Sequence, residues 1–76
     1  MFASTKSARL IYTSNSTVAK AMKGLVGSLS VSDDHHATFK VGDTRMLNTS
    51  VVRRASAHGR WLSIQTDHSV YCFEAI

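Results

Sequence analysis

The apolar residues of this chain recur with a helical period in its first part and alternate with polar residues in its second. Residues 8–13 mix β-branched, aromatic and alternating side chains, which predicts a strand. The Asn-Ser-Thr run at 15–17 offers helix-capping side chains, and the apolar residues after it recur every three or four positions. We therefore predict one amphipathic helix that extends to residue 29. Its apolar stripe comprises Val18, Ala21, Met22, Leu25, Val26 and Leu29.

Two glycines and a polar run accompany the end of this helix. Gly24 and Gly27 fall away from the apolar stripe, and each costs a helix about 1 kcal/mol of stability relative to alanine. They predict a loosely wound last turn. Residues 28–36 are polar and include the run Asp-Asp-His-His at 33–36, so we expect a loop there.

Alternation of apolar and polar residues begins after this loop. A Gly-Asp pair at 42–43 lies between two alternating runs and predicts a hairpin in which Phe39 faces Met46. The polar residues 48–50 are expected to bend or interrupt the returning strand before it resumes at Val51.

Two further hairpins follow from the same alternation. A turn at 58–59 sets Ala57 opposite Arg60, and the next turn sets Ile64 opposite Tyr71. The inward face of these strands then carries Ala55, Leu62, Ile64, Tyr71, Phe73 and Ala75. The outward face carries Val52, Arg54, Ser56, Trp61, Ser63, Gln65, Cys72 and Glu74.

These elements predict a single α+β domain over residues 1–76, in the order β-α-β-β-β-β. The chain contains no proline and shows no linker-like tract or internal repeat. We expect an antiparallel sheet with one helix packed on one of its faces. The other face would be open to solvent, as is common for antiparallel sheets.

Length and cysteine content limit how such a domain is stabilised. A chain of 76 residues removes only about 60% of its unfolded surface from water on folding, so its core is thin. Cys72 is the only cysteine, which excludes an intrachain disulfide and suits a reducing, cytoplasmic location. No apolar run approaches the roughly 20 residues of a membrane span, and residues 1–7 are too short and polar for a signal peptide. We expect no membrane partner.

The charge balance indicates which partners the chain attracts. Nine Lys and Arg residues against five Asp and Glu residues give a net charge of +4, and the isoelectric point is near 9.7. Such a surface favours encounter with nucleic acid or with an acidic protein face.

The arginines concentrate around the only tryptophan. Trp61 would lie near Arg54 on the open face, with His58 and Arg60 at the adjoining turn and Arg53 at the sheet edge or core margin. An aromatic ring beside guanidinium groups can stack on a base or on a side chain of a partner. We predict that these five residues bind the partner. A secondary contact is predicted at Lys20, Lys23, Asp33 and Asp34.

Metal and catalytic chemistry are not favoured by the spacing of the reactive residues. The four histidines and Cys72 lack the close ligand pairs that zinc sites use. A thiolate of Cys72 with His58 or His68 would still need an oxyanion site and a pocket. No glycine-rich phosphate loop is present. We expect no metal, no cofactor and no enzymatic activity.

Three functions remain open. The first is a binding protein that inhibits or modulates a larger partner, such as a complex that processes nucleic acid. In size and composition the chain resembles the small accessory proteins with which phages and other mobile elements inhibit host enzymes. The second is direct nucleic-acid binding, with Trp61 stacking a base and Arg53, Arg54, Arg60, Lys20 and Lys23 on phosphates. The third is a structural homodimer that pairs an exposed sheet edge.

Overall fold

The computed structural model describes residues 4–76 as six strands and one helix. Residues 1–3, the start of the polar stretch considered above, lie outside the described residues. The elements in chain order are β1 (Ser4–Thr13), α1 (Ser16–Met22), β2 (Val26–Val31), β3 (His36–Val41), β4 (Arg45–His58), β5 (Trp61–Thr66) and β6 (Val70–Ala75).

The sheet is antiparallel and closes on itself. Each strand pairs with the next one in the chain, and β1 also pairs with β6, which completes a barrel. The expected combination of one antiparallel sheet with one helix is therefore confirmed, with one more strand than predicted. The open sheet was wrong, because pairing of the first and last strands turns the whole inner face into an enclosed core. Strand β4 pairs with β3 through residues 45–51 and with β5 through residues 52–58, so its two halves belong to different sides of the barrel.

The helix is shorter than its apolar stripe predicts. Its start is confirmed, since Asn15 Oδ1 accepts hydrogen bonds from the N–H groups of Thr17 and Val18, each at 3.1 Å. It ends at Met22, and Gly24 takes a left-handed φ of +88° that redirects the chain. The following stretch from Val26 is strand β2.

Strand β2 forms because the same residues also alternate. Val26, Ser28 and Ser30 on its outward face are exposed, whereas Leu29 on the inward face is buried. Gly27 permits a close approach to β3: an added Cβ would lie 2.2 Å from the backbone oxygen of Lys40. Strand pairing therefore overrides a helical stripe that two glycines had weakened.

The core fills the inside of the barrel. Its most buried large side chains come from five strands and are Leu10, Leu29, Phe39, Ile64 and Phe73. The rings of Phe39 and Phe73 meet with centroids 4.9 Å apart, a tilted contact that joins β3 to β6 across the interior.

The helix contributes to this core from one end of the barrel. Met22 is buried with the core residues, while Arg45 Nη1 donates a hydrogen bond of 3.0 Å to the carbonyl oxygen of Ala21. That bond attaches α1 to the beginning of β4, beside the β3–β4 turn. The helix thus packs against β1 and the core through Met22 and Val18, while side chains of the strands fill the rest of the interior.

The predicted registers are partly confirmed. In the last hairpin Ile64 pairs with Tyr71, as alternation predicts. In the hairpin before it, Ala57 pairs with Leu62 rather than Arg60, because the turn lies one residue later than expected. That change moves the register by two residues, which keeps the side chains of residues 54–58 on their predicted faces.

Strand β4 departs most from its prediction. In the β3–β4 hairpin Phe39 faces Leu47 instead of Met46. The strand continues from Arg45 to His58 without interruption, but its register against β3 shifts between Asn48 and Val51, where the sequence predicts a bend or a break. A register shift between Val52 and Arg54 reverses the side-chain alternation there. Val52 is consequently buried in the core instead of lying on the outward face.

Gly27→Ala distinguishes the strand from the predicted helix by the sign of its effect. In a helix the substitution would raise the free energy of unfolding by about 1 kcal/mol. In the observed strand the new methyl group collides with the backbone of Lys40, so we expect a loss of about 1–3 kcal/mol. Urea denaturation followed by circular dichroism measures the difference. Ser28→Ala, on the exposed face of the same strand, should change the stability by less than about 0.5 kcal/mol.

Candidate functional site

Trp61 begins strand β5 and lies on the outside of the barrel. The residue is 49% exposed, so the outward orientation predicted for its side chain is observed. On one side its strand partner is His58, across the β4–β5 turn, and on the other side it is Glu74 of β6. The indole is thus flanked by an imidazole and a carboxylate on neighbouring strands.

Glu74 organises the charges beside this ring. Its carboxylate Oε2 lies 3.5 Å from Arg60 Nε, and its side chain is only 20% exposed, whereas that of Arg60 is 69% exposed. The backbone supports this arrangement, since the N–H of Ala75 donates to the carbonyl oxygen of Arg60 at 2.7 Å. On the far side of Glu74, its strand partner in β1 is Arg9. One carboxylate therefore stands between two arginine positions.

Tyr12 adds a second exposed aromatic residue to this region. It is 50% exposed and is paired with Cys72 of β6, next to a register shift in β1 that follows Leu10. Cys72 is in turn paired with Ser63 of β5. We call this part of the barrel exterior the Trp61 surface, and it consists of Arg9, Tyr12, His58, Arg60, Trp61 and Glu74.

Sequence reasoning missed three members of the Trp61 surface. Glu74 was recoverable, because the predicted register of the last hairpin already sets it opposite Trp61. Arg9 and Tyr12 depend on the pairing of β1 with β6, which joins Arg9 to Glu74 and Tyr12 to Cys72, residues about 60 positions apart. No local pattern in the chain signals that pairing.

Arg54 lies farther from Trp61 than predicted. The shifted register pairs it with Gln65 instead of Ser63. Gln65 is four residues along β5 from Trp61, a separation of about 13 Å at the usual rise of a strand. Arg54 is exposed but borders the Trp61 surface rather than belonging to it.

Arg53 pairs with a different carboxylate, that of Asp67. Its Nε and Nη2 atoms each donate to one oxygen of Asp67, both at 3.0 Å, in a bidentate pair that joins β4 to the β5–β6 turn. These hydrogen bonds hold the pKa of Asp67 below its ordinary value of 3.8 and raise the pKa of Arg53. The side chain of Arg53 is 61% exposed, and the residue lies at the register shift of β4 between Val52 and Arg54.

The residues of the predicted secondary contact lie elsewhere on the chain. Lys20 is on α1 and Lys23 follows its end, whereas Asp33 and Asp34 occupy the β2–β3 turn. Asp34 accepts a hydrogen bond from the hydroxyl of Ser32, which lowers the pKa of that carboxyl. None of these four is a strand partner of the Trp61 surface in the pairings of the described strands.

The remaining reactive side chains are dispersed over the described part of the chain. Over residues 4–76, no three His, Cys, Asp or Glu side chains gather in a way that could hold a metal ion. Cys72 is half-buried between Ser63 and Tyr12 on the neighbouring strands. Helix α1, the one helix within residues 4–76, has 7 residues and is too short to cross a membrane.

Comparison with known proteins finds no match: no family model, no curated protein and no solved structure matches the chain.

Trp61→Ala should leave the fold intact. The ring is half-exposed, so we expect a loss of about 1 kcal/mol in the free energy of unfolding. Phe73→Ala, which empties the centre of the core, should cost about 3–5 kcal/mol. Urea denaturation of both variants provides the measurement. A Trp61→Ala protein as unstable as the Phe73→Ala protein would show that the indole serves the core instead of a surface.

Arg53→Gln should raise the pKa of Asp67 towards 3.8, because it removes the hydrogen bonds that lower it. A depressed carboxyl pKa stabilises the fold above the unfolded-state pKa, and that stabilisation is lost as the pH falls through the folded-state value. The two proteins should therefore differ in stability at neutral pH and converge in acid. Titration of the Asp67 carboxyl carbon by NMR tests this. Arg54→Gln is the control and should leave the Asp67 titration where it is.

Proposed function

We propose that this chain is a small non-catalytic binding protein that attaches through the Trp61 surface to a larger protein and modulates or inhibits it. The observation that carries the proposal is the pair of half-exposed aromatic residues, Trp61 and Tyr12, on neighbouring parts of one rigid sheet. Tryptophan, tyrosine and arginine are the residues that most often dominate the binding energy of protein interfaces. Their placement on strands fixes them before binding and lowers the entropy lost on association.

The state of the arginines supports a protein partner over nucleic acid. Arg60 is within 3.5 Å of Glu74, and Arg53 forms its bidentate pair with Asp67. These carboxylates offset two of the three arginines that were expected to contact phosphates. Nucleic-acid affinity depends mainly on basic groups free to replace counterions along the phosphate backbone. The paired arginines are better suited to a limited contact with a protein.

Direct nucleic-acid binding is the second candidate, favoured by one observation. Tyr12 supplies a second exposed ring, and two rings on a sheet can stack two bases at about 1–3 kcal/mol each. Arg9 and Arg54 would then remain for phosphates. This candidate requires binding to oligonucleotides that weakens steeply as salt is added.

Affinity capture from a lysate of the native host, with and without nuclease, tests the proposal. The wild-type chain should retain a protein that survives nuclease treatment. Trp61→Ala should reduce the captured amount by at least about tenfold, as expected for a residue at the centre of an interface. Mass spectrometry identifies and quantifies the captured protein.

Met46→Ala is the matched control for this capture. Met46 is an apolar residue that is 59% exposed on β4, where it pairs with Lys40 away from the Trp61 surface. Its loss should leave capture unchanged. Equal losses from both variants, or a capture that nuclease abolishes, would contradict the proposal. Oligonucleotide binding at low salt that Trp61→Ala removes would favour the second candidate.

A further inference from the structure

We infer that the Trp61 surface binds an acidic segment of its protein partner, in which a carboxylate meets Arg9 and Arg60 while a neighbouring apolar side chain lies against Trp61. This inference rests on the proposed function and adds the chemistry of the partner to it. Its basis is the imbalance of charge within the Trp61 surface and the arrangement of that charge relative to the two rings.

The charge imbalance is local and directed. The surface has two positive side chains, Arg9 and Arg60, and only one negative side chain, Glu74. That carboxylate is mostly covered, with 20% of its side chain exposed, whereas Arg60 remains 69% exposed. A partner that approaches from solvent therefore meets the arginines more than it meets Glu74, and a negative group complements them.

The geometry of Arg60 suits a carboxylate in particular. Its contact to Glu74 is made through Nε, and a guanidinium has five N–H donors in a planar fork. The terminal amino groups thus keep donors for a second acceptor. Two parallel hydrogen bonds to a carboxylate are the arrangement that such a fork favours.

The limits of the basic region favour a short acidic segment over a nucleic-acid strand. Next to the row that contains Trp61 lies a row of four neutral strand partners: Ser56, Ser63, Cys72 and Tyr12. A phosphate backbone needs basic groups repeated along its path, and this row separates Arg9 and Arg60 from Arg54. An acidic side chain flanked by apolar ones needs only one basic position and adjacent rings.

The spacing of the rings fits this occupant. Trp61 on β5 and Tyr12 on β1 are separated by strand β6, which corresponds to about 10 Å across the sheet. Glu74 and Cys72 lie between them on β6. An extended peptide covers that distance with about three residues. One carboxylate beside Arg9 and Arg60 and one apolar side chain on Trp61 can therefore belong to the same short segment.

Photocrosslinking reads the chemistry of the contacted segment directly. Tyr12→p-benzoylphenylalanine keeps an aromatic ring at an exposed position, and irradiation in nuclease-treated host lysate should link it to the captured partner. Sequencing of the crosslinked peptide by mass spectrometry should show a net negative segment that contains both Asp or Glu and an apolar residue. Met46→p-benzoylphenylalanine, at an exposed position outside the surface, should yield no crosslink to that segment.

The outcomes separate this inference from the proposed function. A crosslink to a neutral or basic segment would overturn the acidic segment while the binding function stands. Trp61-dependent capture without any crosslink from position 12 would have the same consequence. Crosslinks to nucleotides in untreated lysate would overturn the inference and favour nucleic-acid binding. Loss of Trp61-dependent capture altogether would contradict the proposed function itself.

Charge variants test the same inference by affinity. Arg9→Gln and Lys40→Gln each remove one positive charge from an exposed strand position, and only Arg9 lies next to Glu74. Arg9→Gln should weaken binding of the identified partner about tenfold, and Lys40→Gln by less than about twofold. Circular dichroism verifies that both fold. Equal weakening would show that net charge alone attracts the partner, which would overturn the inference.

Discussion

The pairing of β1 with β6 is the constraint on which the rest of this structure depends. It sets Leu10 beside Phe73 and closes the sheet, so that inward side chains of all strands share one interior. The contact between Phe39 and Phe73 spans that interior and exists only because the sheet is closed. The same pairing brings Arg9 next to Glu74 on the outside. Closure therefore creates the core and the Trp61 surface together.

Carboxylates on the barrel exterior determine how the basic character of the chain is presented. The net charge of +4 suggests a basic face. Yet Asp67 pairs with Arg53 and Glu74 lies beside Arg60, which are two of the three arginines between residues 50 and 64. Such exposed pairs contribute little to stability. Their larger effect is to orient the guanidinium groups and to restrict the positive surface near Trp61 to a small region. That restriction is one basis of the proposed preference for a protein partner.

The closed sheet also makes a small domain suitable for binding. A chain of this length has a thin core. Closing the sheet pairs its first and last strands, whose backbone groups would otherwise stay unpaired at two edges. Rings that project from strands are held more firmly than rings on loops. Trp61 and Tyr12 are thus held in position although each is half-exposed. In the proposed function their exposed area contacts the partner.

Local alternation by itself determined the last hairpin, the outward position of Trp61 and the inward positions of Leu62 and Phe73, since strand periodicity fixes faces without knowledge of neighbours. The cap at Asn15 was equally readable, because it involves only adjacent residues. Tertiary structure decided the remainder. Whether residues 26–31 continue a helix or form a strand depended on the approach of β3 to Gly27, and the partners of Glu74 depended on closure. Both are contacts between distant parts of the chain, and their energies are absent from any local pattern.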